Sequence, residues 1–272
     1  MSYQQQYRPS RFGFLPPVVK NILIINVIMY LALLAFEKKY QIDLNDLLGL
    51  HYFTSPKFRW YQVITHMFMH MNFAHIAFNM YAVWMFGTSL EKFWGPKRFI
   101  IFYLFAGLGA GFLHTCFTGY QLHAFDSVIA NPDPESYYKL MSKYLDPAQL
   151  HDFYLYWKSN PSSASAITTA ISDLSHVQES VMANSCAVGA SGALFGILLA
   201  FGMIFPNTEL MLIFFPIPIK AKYFVMLYGA VELFSGVSQI RGDNIAHFAH
   251  LGGMLFGFIL IKIWQKNRTH FY

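Results

Sequence analysis

The stretch VGASGALFG, residues 188–196, places Ser191 between small residues in an apolar run. A hydroxyl becomes a nucleophile when an imidazole can take its proton and donors can hold the oxyanion that forms. Both partner types occur in other apolar stretches. NIAHFAHLGGMLFGFIL carries His247 and His250, and THMFMHMNFAHIAFNMYAVW carries His66, His70, His75 and Asn79. Each has an ordinary counterpart reading. Gly189, Gly192 and Gly196 fit close helix packing, and His75 with Asn79 fits hydrogen bonding between helices.

Helical spacing sorts these groups. At about 100° per residue, His75 and Asn79 share one face, while His66 and His70 fall on nearly the opposite one. A metal site built from the histidines of this one helix is therefore not expected, and no metal or other cofactor is assigned. His250, Gly253 and Gly257 form a single stripe, so the surface bearing the imidazole is also shaped for intimate contact. The small residues around Ser191 match it, and contact between the two would join Ser191 to His250. His247 lies about 60° round the helix from His250 and reads as peripheral. Asp243 lies two helical turns from His250, out of reach, so a Ser-His dyad without a third acid is expected. Ser191 at a helix N-terminus would add its own N–H as an oxyanion donor.

The elements that must position these groups are membrane spans. The chain has 272 residues, 55% hydrophobic and 12% charged, with mean hydropathy +0.36, too apolar for a soluble domain. A hydrocarbon core of about 30 Å takes about 20 apolar residues, and six stretches qualify: 17–36, 66–90, 99–118, 187–205, 221–239 and 245–264. The expected fold is an all-α polytopic membrane bundle of six helices. The first stretch is too long for a signal peptide and lacks a small-x-small cleavage site. Lysines and arginines of the short loops place both termini in the cytoplasm. The net charge of +5 is then a topology signal, and nucleic acid is not an expected partner. Cys116 and Cys186 read as separate thiols buried at helix ends, with a single bridge geometrically open.

The expected organisation is a cytoplasmic tail at 1–16, three spans with an amphipathic outer loop at 17–118, a helical extramembrane insertion at 119–184, three spans at 185–265 and a tail at 266–272. The insertion carries seven acids against three lysines. Asp133-Pro134 and Asp146-Pro147, the latter with Gln149, mark helix starts; two or three short helices are expected, one with Tyr154 and Trp157 on its apolar face, and a loose joint at 161–166. Pro206, Pro216 and Pro218 make 205–222 a re-entrant or interfacial turn.

Taken together, GASG with Ser191, AHLGGMLFG with His250 and HIAFN with His75 and Asn79 resemble the rhomboid family of intramembrane serine proteases. WYQVITHMFMH before the second span and EKFWG with Glu91 after it add support. The resemblance covers all six spans and implies a bundle with a cavity open to the outer side. In it Ser191 attacks a peptide carbonyl of a single-span membrane protein, with His250 as general base. Ser191 N–H, His75 and Asn79 would hold the oxyanion, and Phe195, four residues after the serine, would stack near His250. Substrate would enter past the fifth helix, with the connection between the fifth and sixth capping the cavity.

Two departures stand out: Gln62 occupies a place where the family often has arginine, which implies altered loop anchoring, and the 119–184 insertion precedes the serine. The alternative is a catalytically inactive rhomboid-like protein that binds transmembrane segments. A histidine-based transporter is a third reading, with Glu232 as its best residue. A prokaryotic plasma membrane is the expected home.

Overall fold

A computed structural model describes residues 15–212, 215–238 and 247–266. It is mostly helical. Helix α1, Pro17–Tyr40, starts with proline in its first turn, ends with Lys38 and Lys39, and stops at Gln41 in the left-handed region. Its face toward lipid is apolar, with Ile28 and Leu31 more than half exposed. The outer loop holds α2, Leu44–Leu48, capped by Asp43, and α3, Gln62–Thr65, with one tighter turn over His66–Phe68.

The second expected span does not begin at His66. Its helix starts at Phe73, because Asn72 is in extended conformation and its side chain accepts the N–H of His75 at 2.8 Å. An N-cap of this kind ends whatever precedes it. Helix α4, Phe73–Ala82, runs through a wider π-turn at Val83–Gly87 into α5, Thr88–Trp94. His66 and His70 therefore precede the helix, and the face assigned to them above does not exist. The His70 ring instead meets His75 edge-on, centroids 5.0 Å apart.

Helix α6, Pro96–Ala130, runs on past the expected boundary at 118. The 119–184 region holds α7, Pro134–Met141, α8, Pro147–Ser159, and α9, Ala164–Asn184. Asp133 and Asp146 cap as their dipeptides suggested, accepting from the N–H groups of Ser136 and Ala148. Half of the expected loose joint, 164–166, is helix, since Ser163 caps α9 by accepting from Ala166 N–H. Trp157 is fully buried with Tyr137, Met141, Ala170 and Leu174, and α6 contributes Phe125 to the same core. Tyr154 instead points to the rim, where its hydroxyl donates to Glu135.

Helix α10, Ser191–Ile204, is apolar throughout and almost wholly buried. The segment expected to be a re-entrant or interfacial turn is built as a hairpin: β1, Glu209–Leu212, pairs antiparallel with β2, Phe215–Lys220. Pro216 and Pro218 fit there because a two-stranded ribbon has edge positions that need no ladder donor. Helix α11, Ala221–Ser238, and α12, His247–Lys266, complete the described chain. The connection expected to cap the cavity, with Asp243, lies outside the described residues.

By length and composition α1, α6 and α12 can cross a membrane, and α10 is a shorter apolar helix. Helix α10 is the hub, packed against α6, α12 and α11. Glycines set the distance: a methyl on Gly253 would strike the Gly192 carbonyl, and one on Gly257 would fall 3.2 Å from Gly196 Cα. Both thiols are free. Cys116 is exposed rather than buried, whereas Cys186 donates to Asn45 O, and burial pushes its thiol up to about 12.

Two long-range anchors hold the bundle. The Glu91 carboxylate accepts from Val18 N–H at 3.0 Å and Val19 N–H at 2.8 Å, closing the start of α1. Gln62, fully buried, donates to Leu47 O and Lys57 O at 3.1 and 3.0 Å. It accepts from Arg59 N–H at 3.0 Å and His51 N–H at 3.4 Å. The amide thus pins the outer loop with every hydrogen-bonding site it has, and no guanidinium is required.

Candidate functional site

Ser191 is the first residue of α10, so its N–H belongs to the first turn, which has no acceptor within its own helix. The turn into it requires glycine: Gly189 has φ +123°, a region closed to most side chains, and its N–H donates to His66 O at 2.8 Å. A methyl there would lie 2.9 Å from Cε1 and Nε2 of His75 and 3.5 Å from Ser191 Oγ. The ring edge of His75 and the hydroxyl of Ser191 therefore flank one small hollow.

Across the glycine contact, α12 brings His250 Nε2 to 3.0 Å from Ser191 Oγ. Phe195, one turn along α10, stacks on the His250 ring with centroids 4.1 Å apart and planes 10° apart. That fixes the tilt of the imidazole, while the Gly192–Gly253 and Gly196–Gly257 contacts fix its height.

Asn79 lies one turn beyond His75 on α4, which packs against α10. Its Nδ2 is buried without a hydrogen-bond partner among the described residues. A buried donor left unpaired costs about 1–3 kcal/mol, so it marks a place where an acceptor is missing. His75 accepts Met71 N–H at Nδ1, at 3.5 Å. This assigns the ring proton to Nε2, the atom facing the hollow.

One residue of this cluster has no place in the dyad expected above. Glu232 of α11 is buried, and its Oε2 lies 2.9 Å from His250 Nδ1 and 2.6 Å from His247 Nδ1. The expectation that no carboxylate reaches His250 is overturned, and His247 is drawn into the same cluster. Glu232 stood out in the sequence only as a lone carboxylate in an apolar helix. An ionisable group at membrane depth demands a named partner, and that requirement was the available signal.

Glu232, His247 and His250 offer three metal-ligand atoms within 4.8 Å of one another. Ligands about 2.0–2.2 Å from a tetrahedral zinc would sit about 3.3–3.6 Å apart. The 2.6 and 2.9 Å separations are those of a carboxylate accepting two imidazole N–H groups.

The sequence profile of the Rhomboid domain matches residues 57–126 and 154–267, more than half of the chain. Among relatives, an uncharacterized mitochondrial rhomboid protein of Schizosaccharomyces pombe is 27% identical over 225 residues, covering 78% of this chain and 53% of that protein. The mitochondrial rhomboid protein 1 of Saccharomyces cerevisiae is 26% identical over 210 residues, covering 76% and 43%. The rhomboid protease GluP of Bacillus subtilis is 36% identical over 61 residues, 22% of this chain and 12% of that protein. The chain thus spans about half the length of the two fungal relatives. Their mitochondrial names run against the prokaryotic plasma membrane expected from the sequence.

Proposed function

Because the chain belongs to the rhomboid family, we propose that it is a serine endopeptidase that cuts membrane proteins in or near a transmembrane segment, with Ser191 as nucleophile and His250 as general base. The 3.0 Å approach of Ser191 Oγ to His250 Nε2 carries this reading. Ser191 Oγ attacks the scissile carbonyl as its proton passes to Nε2. The oxyanion takes hydrogen bonds from Ser191 N–H, His75 Nε2–H and Asn79 Nδ2. Imidazolium then protonates the leaving amine, and water, activated by the same base, releases the acyl group.

Depth supports an intramembrane site. With 14 residues, α10 is about 21 Å long, shorter than the hydrocarbon core of about 30 Å, so a serine at its outer end sits below the lipid surface. Six crossing helices, cytoplasmic termini and an outward-opening site complete the proposed topology. Helix α11 presents Met226, Leu227 and Phe234 outward, a lipid-facing wall past which a single-span substrate helix would come.

The test is labelling by a fluorophosphonate probe in detergent, alongside cleavage of a transmembrane reporter. Wild type is expected to label and cut, and Ser191→Ala and His250→Ala to do neither. Folded wild type that neither labels nor cuts a panel of single-span reporters would refute the protease and favour a binding protein.

A further inference from the structure

We propose that Glu232 is the positioning residue of this site, adding to the pair Ser191 and His250 a third member that comes from α11. The inference rests on the hydrolase reading above and adds a residue to it.

Glu232 Oε2 is within hydrogen-bond distance of two ring nitrogens at once, Nδ1 of His250 at 2.9 Å and Nδ1 of His247 at 2.6 Å. A carboxyl group has at most one proton to give, so it cannot donate to both. A carboxylate accepting from both accounts for the two short contacts at once. His250 then carries its proton on Nδ1, which leaves Nε2 as an acceptor, and Nε2 is the atom facing Ser191 Oγ at 3.0 Å. The opposite tautomer would present an N–H to the hydroxyl and could take no proton from it.

Charge follows the same geometry. When the Ser191 proton moves to Nε2, both ring nitrogens are protonated and the ring becomes cationic. Glu232 stays ionised beside it and stabilises that cation without itself taking the proton, as carboxylates do in other serine hydrolases. His247 holds the same oxygen from the other side, so the carboxylate is oriented by two donors rather than one. Phe195 fixes the face of the ring, and Glu232 fixes its rotation about that face.

The site also gains a dependence on α11. Ser191 and His250 lie on helices locked together by glycines, whereas Glu232 reaches them from a helix whose outward face is largely exposed, Phe234 at 70%. Withdrawal of α11 would leave serine and histidine in contact and strip the imidazole of its partner.

The experiment compares wild type, Glu232→Gln and Glu232→Asp, purified whole in detergent, with Ser191→Ala as baseline. Glu232→Gln is expected to lower kcat by roughly 10⁴-fold, the order seen when such a carboxylate is replaced elsewhere, with KM within about threefold. Fluorophosphonate labelling should slow in step yet reach the wild-type endpoint. Glu232→Asp keeps the charge and should regain at least about tenfold over Glu232→Gln. A folded Glu232→Gln within about threefold of wild-type kcat would overturn the proposal and leave the hydrolase reading standing. Activity persisting in Ser191→Ala would instead refute that reading.

Should Glu232→Gln fail to fold, ¹⁵N-histidine spectra of the wild type, with His250→Ala for assignment, decide the matter. A neutral His250 protonated at Nδ1 supports the proposal, and one protonated at Nε2 overturns it.

Discussion

Replacing Asn79 by leucine should separate activity from stability, because the same amide acts in opposite senses on the two. In the resting protein its Nδ2 is buried and has no partner among the described residues, a penalty of about 1–3 kcal/mol that an apolar side chain removes. Leucine has the same heavy-atom branching as asparagine but bulkier methyl groups, and overpacking typically costs about 1–3 kcal/mol. The two offset, leaving stability within about 1–2 kcal/mol of wild type. In the transition state the amide gains its missing acceptor. Loss of one oxyanion donor costs about 2.7–4 kcal/mol, or about 10²- to 10³-fold in kcat. KM should hardly change, since the oxyanion exists only in the transition state. The assay is steady-state cleavage of a fluorogenic transmembrane reporter in detergent, beside thermal unfolding of the same sample. A kcat loss below about threefold, or a loss that tracks a collapse in thermal stability, would refute the reasoning.

Three further outcomes are expected. Gln62→Glu turns the donors facing Leu47 O and Lys57 O into a carboxylate oxygen; it should destabilise the protein by about 2–4 kcal/mol and expose residues 45–60 to limited proteolysis. Gly189→Ala forces a side chain into φ +123° and against the His75 ring; it should cost about 1–3 kcal/mol and lower reporter cleavage at least tenfold, measured with the melting curve. Asp133 titrates below the usual carboxylate range because it accepts from the side chain and main chain of Ser136. Its contribution to helix α7 should therefore be present above about pH 4 and vanish as pH falls through the lowered value. Asp133→Ala should cost about 1 kcal/mol at neutral pH and remove that acid sensitivity in urea titrations.

What the sequence made legible followed from local rules. The stripe of His250, Gly253 and Gly257, and the glycines about Ser191, can be read one helix at a time, and packing them together needs nothing more. Helix starts at Asp133 and Asp146 were equally local. The start of the second span is also local: Asn72 is a capping residue, masked in the sequence by the run of apolar residues and histidines on both sides. Glu232 belongs to a different class. Its meeting with His250 depends on how α11 leans on α12, and no spacing within either helix encodes that approach. Gln62 likewise finds its four partners in a loop whose path is irregular, so its residue type alone suggested a weakened anchor where the fold has a complete one. In β2 the prolines announced that helix was impossible without saying which alternative follows.

The clasp at the start of α1 sets a schedule for biogenesis. Val18 and Val19 present N–H groups whose acceptor, Glu91, is encoded 73 and 72 positions later. A ribosome adding about 5–20 residues per second needs roughly 4–15 s to deliver it. Through that interval the leading helix has only water for those groups and stays free to shift in depth. Arrival of the carboxylate sets its level relative to α5, so the vertical alignment of α1 is fixed only once α5, Thr88–Trp94, has been made.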